Sequence, residues 1–163
     1  MSQVRLETIY CIDSSSLIDL KLYPKDVFPN VWDLLENMAK QNTLVSHPEV
    51  YREVSVVDDD IKKWCRRHKR IFENKESSSI EIITNFKKVE KEYDKNYWAN
   101  EITATKPWAD PWIISLAICY KGIVVTDENG NKNKIPYVAG KFGLRSLNLL
   151  DFFRDMKAQG KLT

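Results

Sequence analysis

Apolar positions along the chain fall into short unbroken runs, set between longer stretches that repeat at helical spacing. The densest run, Trp112 to Tyr120, is almost wholly apolar and is followed after Gly122 by Ile123-Val-Val-Thr126. The first reads as a buried helix, the second as a short buried strand, β-branched throughout. Asp110 suits the N-cap of that helix, Pro111 its first position and Gly122 a left-handed stop. Asp127 and Glu128 stand where the strand ends. Thr8 to Asp13 is another short apolar run that closes on an acid, and it reads as the first strand. Ser14 to Leu20 follows as a helix whose serines suit its start.

The rest of the chain continues the alternation. Val31, Trp32, Leu34, Leu35 and Met38 predict a helix from Pro29 to about Gln41. Thr43 to Ser46 reads as a second strand. Pro48 to Ser55 reads as a helix with Val50, Tyr51 and Val54 on one face. A helix beginning at Asp58-Asp-Asp60 has Ile61, Trp64, Cys65, His68, Ile71 and Phe72 as its apolar stripe. Its other face is basic: Lys62, Lys63, Arg66, Arg67, Lys69 and Arg70. Ile80 to Tyr97 reads as one long charged helix and Asn96 to Lys106 as a surface loop. Beyond the central unit come a polar loop (Asn129 to Lys134), a short helix (Pro136 to Phe142) and a strand (Leu144 to Leu147). Asn148 caps the last helix, and the tail from Lys157 is expected to fray. Strands alternating with helices mean α/β, with about four to five short strands in a mostly parallel sheet and helices on both faces.

Composition narrows the class. The 163 residues make one domain, spanning 1–163, long enough to bury roughly two thirds of the unfolded surface. With 43% hydrophobic and 29% charged residues the balance is that of a globular domain needing no metal or disulfide staple. A net charge of +2 permits nucleic-acid binding without arguing for it. Cys11, Cys65 and Cys119 lack a CxxC spacing and read as reduced core residues. Two histidines, His47 and His68, argue against a histidine-based zinc site. No signal pattern opens the chain and no apolar run reaches about 18 residues, so the expectation is a cytoplasmic protein without a membrane segment.

In parallel α/β sheets, ligands bind outside the carboxyl ends of the strands. Asp13 and Glu128 both fall at such ends. The helix after Asp110 runs back under the sheet, which returns Asp110 to the same rim, and Glu53 can reach it from its own helix. Glu49, in the first turn of that helix, reads as a solvated acid suited to the dipole. Asp13 alone also reads as nothing more than a helix cap. Four carboxylates at one rim repel unless a cation neutralises them, and oxygen-only ligation suits Mg²⁺ or Mn²⁺. Such a site would activate water and hold the oxygens of a phosphodiester.

These residues resemble the PIN-domain nucleases over nearly the whole chain. The motifs are Ile12-Asp13-Ser-Ser, Val50-Tyr-Arg-Glu53, Ala109-Asp110-Pro-Trp-Ile-Ile-Ser-Leu-Ala and Val124-Val-Thr126-Asp-Glu128. Downstream, Lys134-Ile-Pro136, Phe142-Gly143 and Asn148-Leu-Leu-Asp-Phe152 resemble a bacterial PIN-like branch of loosely assigned function. The resemblance implies a three-layer α/β/α fold with Asp13, Glu53 and Asp110 as the main metal-binding acids. The family's fourth acid stands two residues after the Thr, here Glu128, with the adjacent Asp127 as the alternative. Thr126 matches the hydroxyl that orients the site, and Ser14 or Ser15 would help place a carboxylate or phosphate. The resemblance further implies an endoribonuclease using one or two Mg²⁺ or Mn²⁺ ions. Many relatives are toxins held inactive by a small antitoxin protein, often as homodimers.

Two other readings fit the same acids. One is a catalytically silent binding module on this fold. The other is an aspartyl-phosphate phosphatase, which needs a second Asp where Ser15 stands. The basic face, with Lys62, Arg66, Arg67 and Arg70, is open to three uses: a solvated surface, contact with RNA phosphates, or a seat for an acidic antitoxin segment.

Overall fold

A computed structural model of the chain describes residues 7–56, 59–103 and 108–163. Among these, four short strands form one all-parallel sheet in the order β2-β1-β3-β4: β1 (Tyr10–Ile12), β2 (Leu44–Val45), β3 (Ile123–Val125) and β4 (Ser146–Leu147). The helices that flank it are α1 (Ser14–Asp19), α2 (Pro29–Lys40), α3 (Pro48–Val54), α4 (Asp60–Arg67), α5 (Ile80–Glu90), α6 (Lys95–Thr103), α7 (Asp110–Tyr120), α8 (Ile135–Gly140) and α9 (Leu149–Ala158). All three residues of β1 are buried, as required of a parallel strand covered on both faces. No described helix is long and apolar enough to cross a membrane.

The strand order places the site. After β1 the chain adds β2 on one side of it, then β3 on the other, so the order reverses between β1 and β3. Ligands of open α/β sheets bind in the crevice outside the strand ends at such a reversal. Register fixes which residues meet there. Ile12 pairs with Val125, and the Asp13 N–H donates to Val125 O at 2.9 Å. Asp13 and the segment Thr126 to Glu128 therefore leave the sheet side by side.

Helix α7 holds the arrangement rigid. It is apolar all round, and Ile113, Ile114, Leu116 and Ala117 are fully buried against β1 and α5. Its end departs from the sequence expectation. Lys121, not Gly122, takes the left-handed conformation, at φ 51°. Gly122 N–H then returns to Ala117 O at 2.9 Å. Gly122 serves a close approach instead: a Cβ there would lie 2.6 Å from Ile9 O on the neighbouring strand segment. The start of α7 differs too. The cap is Ala109, and the Asp110 side chain makes no capping bond.

Three further expectations are corrected. Ile80 to Tyr97 is not one helix but two, α5 and α6, and Lys95–Thr103 is helical where a loop was expected. The break has a tertiary cause: Asp94 N–H donates to Asn133 Oδ1 at 2.9 Å, and Asp94 pairs with Lys132. Residues 104–107 of the expected loop lie outside the described residues. The basic helix stops at Arg67 because His68 leaves helical geometry, and a 3₁₀ turn carries Lys69–Ile71. Its expected start at Asp58 lies outside the described residues; Asp59 caps it through Lys62 N–H. The tail does not fray: Leu162 packs on the core and Asn30 donates to Thr163 O at 3.0 Å.

Gly122→Val tests the close approach. The added carbons must displace backbone, so urea unfolding is expected to show a loss of about 1–3 kcal/mol or more. An unchanged unfolding midpoint would show that the two segments do not pack this tightly.

Candidate active site

Four carboxylates from four separate segments converge at the carboxyl rim. Asp13 is 1% exposed and caps α1, its Oδ2 accepting from Ser15 N–H at 3.3 Å. That same oxygen also accepts from Ser15 Oγ at 2.9 Å and from Thr126 Oγ1 at 3.2 Å. The capping reading of Asp13 is therefore correct as far as it goes, and the additional hydroxyls go beyond what a cap needs. Burial raises the Asp13 carboxyl above its ordinary value, against the pull of those hydrogen bonds.

Glu53 approaches from α3. His47 starts that helix by accepting the Glu49 N–H on Nδ1, and its ring stacks on Trp112 at 4.9 Å. The start of α3 is thus packed against the start of α7. Glu53 Oε1 accepts the Ala109 N–H at 2.7 Å, and Oε2 accepts Ser14 Oγ at 3.0 Å. Burial first, then the charge of Asp13, pushes Glu53 up to about 7. Glu49, by contrast, pairs with the exposed Arg52 at 2.6 Å, as expected of a solvated acid.

Asp110 is 6% exposed. Burial, then the charges of Asp13, Glu128 and Glu53, hold it well above the usual carboxylate range. It shares a hydrogen bond with Glu128, which raises the Asp110 carboxyl further and draws that of Glu128 down. Glu128 Oε2 accepts the Ile135 N–H at 2.8 Å, and burial raises its carboxyl as well, with Lys134 pulling the other way.

Glu128 and Asp127, which the sequence leaves as alternatives, point to different places. Asp127 is not brought to the cluster. Its Oδ1 accepts from Ser16 Oγ at 3.0 Å and from Leu149 N–H at 2.7 Å, and its carboxylate bonds Asp19, whose pKa is pushed up to about 6 mainly by that contact. It ties α1 to the start of α9. Ser15 and Thr126 meet at 3.2 Å, and Thr126 Oγ1 accepts the Glu128 N–H at 3.2 Å. Both hydroxyls, with Ser14, thus hold the carboxylates of Asp13 and Glu53 and the backbone N–H of Glu128. Among the described residues, no three acidic, histidine or cysteine side chains stand close enough to hold a metal ion as they are.

The basic face is divided. Arg66, Arg67, Lys69 and Arg70 are exposed and Lys62 is half-buried. Arg70 donates to Asn42 Oδ1 and Lys69 pairs with Glu73. Lys63 and Arg67 border a separate cavity of about 410 Å³ with Trp32 and Trp64. Among the described residues, Lys134 is a cation that acts on Glu128. Sequence reasoning also missed Tyr93 and Tyr97, whose phenols feel the charges of Asp110 and Glu128. Their one signal is the aromatic richness of the segment that leads to Trp108.

The chain is thus an α/β protein with an all-parallel sheet and an acidic rim at its strand reversal. It belongs to the family described as a domain of unknown function, DUF4411, which matches residues 10–160. No curated protein matches the chain.

The raised Glu53 carboxyl makes stability depend on pH in a defined sense. The Glu53 carboxyl is pushed up to about 7 in the folded protein, from an ordinary 4.5. The folded state binds the extra proton between those values, so this group's contribution falls as pH rises through the window. His47, lowered to about 4 by burial, acts the opposite way at acid pH but equally in both proteins compared. Without divalent ions, Glu53→Gln is expected to melt higher than wild type at alkaline pH. The gap should close as pH falls below the unfolded value. A melting difference that does not vary with pH would remove Glu53 from the repelling set.

Proposed function

We propose that this protein is a divalent-metal-dependent endoribonuclease that hydrolyses RNA phosphodiester bonds and adopts a PIN-like three-layer fold. The observation that carries this reading is the convergence of Asp13, Glu53, Asp110 and Glu128 at the strand reversal, with all four carboxyls raised by burial and those of Glu53, Asp110 and Glu128 also by neighbouring acids. A protein gains nothing in stability from such a cluster. It gains a strong demand for a cation, and oxygen-only donors suit Mg²⁺ or Mn²⁺. Asp13, Asp110, Glu53 and Glu128 would hold the ion, and Thr126, Ser14 and Ser15 would support them. The chemistry supplied by the bound ion is Lewis-acid activation of water and neutralisation of phosphodiester charge.

The chain's own residues do the positioning. Thr126 and Ser15 fix Asp13 through one carboxylate oxygen. The Ala109 and Ile135 N–H groups each hold one oxygen of Glu53 and Glu128, leaving the acids oriented but not enclosed. Ser15 stands where an aspartyl-phosphate phosphatase needs its second Asp, and its hydroxyl donates to Asp13 Oδ2 at 2.9 Å. The role of a toxin held by a small antitoxin protein, and a homodimeric state, rest on the resemblance to PIN-domain nucleases alone.

The test is cleavage of single-stranded RNA with Mn²⁺, with and without EDTA. Replacing a partner that only orients a ligand costs ~10–100-fold, so Asp13→Asn and Asp110→Asn are expected to cost at least about 100-fold and Thr126→Val about 10–100-fold. Wild-type cleavage rates in both Asn variants, or cleavage indifferent to EDTA, would dismiss this site.

A further inference from the structure

Beside the acids stands a group of aromatic rings. Tyr93, in the turn between α5 and α6, and Tyr97, in α6, lie parallel with ring centroids 5.9 Å apart and 13° between planes. Trp108 closes the group edge-on, 5.1 Å from Tyr93 and 5.9 Å from Tyr97. The chain fastens these rings to the candidate active site. Ala109, next to Trp108, donates to Glu53, and Asp110 follows. On the other side, Asp94 is clamped by Asn133 and Lys132 to the loop that leaves Glu128. Burial, then the charges of Asp110 and Glu101, push Tyr97 up to about 12; burial and Asp110 also raise Tyr93.

Two features exceed what packing requires. Tyr93 is 5% exposed, yet its phenol oxygen has no hydrogen-bond partner among the described residues. Buried phenols ordinarily find one. Tyr97 and Trp108 stay half-buried, so ring surface reaches solvent at the edge of the acidic rim. That rim has a problem with RNA: its carboxylates repel phosphate. Affinity for the strand must come in part from uncharged contacts, and base–aromatic stacking is the kind available.

We propose that Tyr97, backed by Tyr93 and Trp108, is a subsite for one unstacked nucleobase of single-stranded RNA, adjacent to the phosphate to be cut. The subsite rests on the ribonuclease reading above. Stacking on Tyr97 uses the face of the base, so it accepts any of the four bases and refuses those already stacked in a duplex. The Tyr93 hydroxyl supplies a donor that the described residues leave unused.

The experiment measures binding of a labelled single-stranded oligoribonucleotide by fluorescence anisotropy, in the Asp110→Asn background so that the strand survives. Tyr97→Ala is expected to weaken binding about tenfold, and Tyr97→Phe to retain it. An oligonucleotide with one abasic position beside the cut should lose a similar factor on Tyr97, and then lose nothing more in Tyr97→Ala. The abasic arm needs no folded Ala variant, since it also reads out on Tyr97 alone. Calorimetry of Mn²⁺ binding to Tyr97→Ala with Asp110 intact should match wild type. Unchanged RNA affinity in Tyr97→Ala, or abasic and Ala losses that simply multiply, would overturn the subsite while leaving cleavage by wild type standing. Wild-type protein that neither binds nor cuts RNA would remove the ribonuclease reading, and the subsite with it.

Discussion

A carboxylate withdrawn from water is costly unless hydrogen bonds or a positive charge replace its hydration, and each further carboxylate nearby adds repulsion. Asp13, Glu53, Asp110 and Glu128 meet that constraint at one edge of the sheet. Donors are supplied one oxygen at a time: Ser15 and Thr126 to Asp13, Ala109 and Ser14 to Glu53, Ile135 to Glu128. Among the described residues, no arginine or lysine forms an ion pair with these acids, and Lys134 acts on Glu128. Burial therefore leaves all four carboxyls raised, that of Asp110 well above the usual range.

The fold serves that arrangement at two levels. The reversal of strand order between β1 and β3 opens the crevice, and the parallel register brings Asp13 beside Thr126. The buried α7 then fixes how far Asp110 stands from β3, since helix and strand are joined by a turn with no slack. That turn depends on Lys121 in a left-handed conformation and on the missing side chain at Gly122. A residue at the far end of the strand thus governs the site at its carboxyl end.

Much of this was legible in the sequence, and the failures have physical reasons. Apolar runs ending in acids are a local signal, so β1, β3 and the rim positions of Asp13 and Glu128 could be read directly. A mostly parallel sheet of about four to five strands followed from the alternation, and four are present among the described residues. What could not be read were outcomes decided between distant segments. Asp127 and Glu128 are neighbours with equal claims, and only the start of α9 draws Asp127 away through Leu149 N–H. The stripe from Ile80 to Tyr97 is continuous in pattern, yet Asn133 captures Asp94 and ends the helix. The cap of α7 shifted by one residue because Asp110 is held among other acids instead of over its own backbone. The aromatic group beside the acids was invisible as a group, because Tyr93, Tyr97 and Trp108 each fit an ordinary role alone.

The central claim is that the four carboxylates are a cation site. Anomalous diffraction from crystals soaked in Mn²⁺ tests it most directly, because it locates the ion without reference to activity. The account predicts a manganese peak between Asp13 and Asp110, with Glu53 or Glu128 turned toward it and Asp127 still bonded to Leu149. A fully soaked crystal with no peak at the rim, or with manganese bound elsewhere while Asp110 and Glu128 keep their shared hydrogen bond, would contradict it.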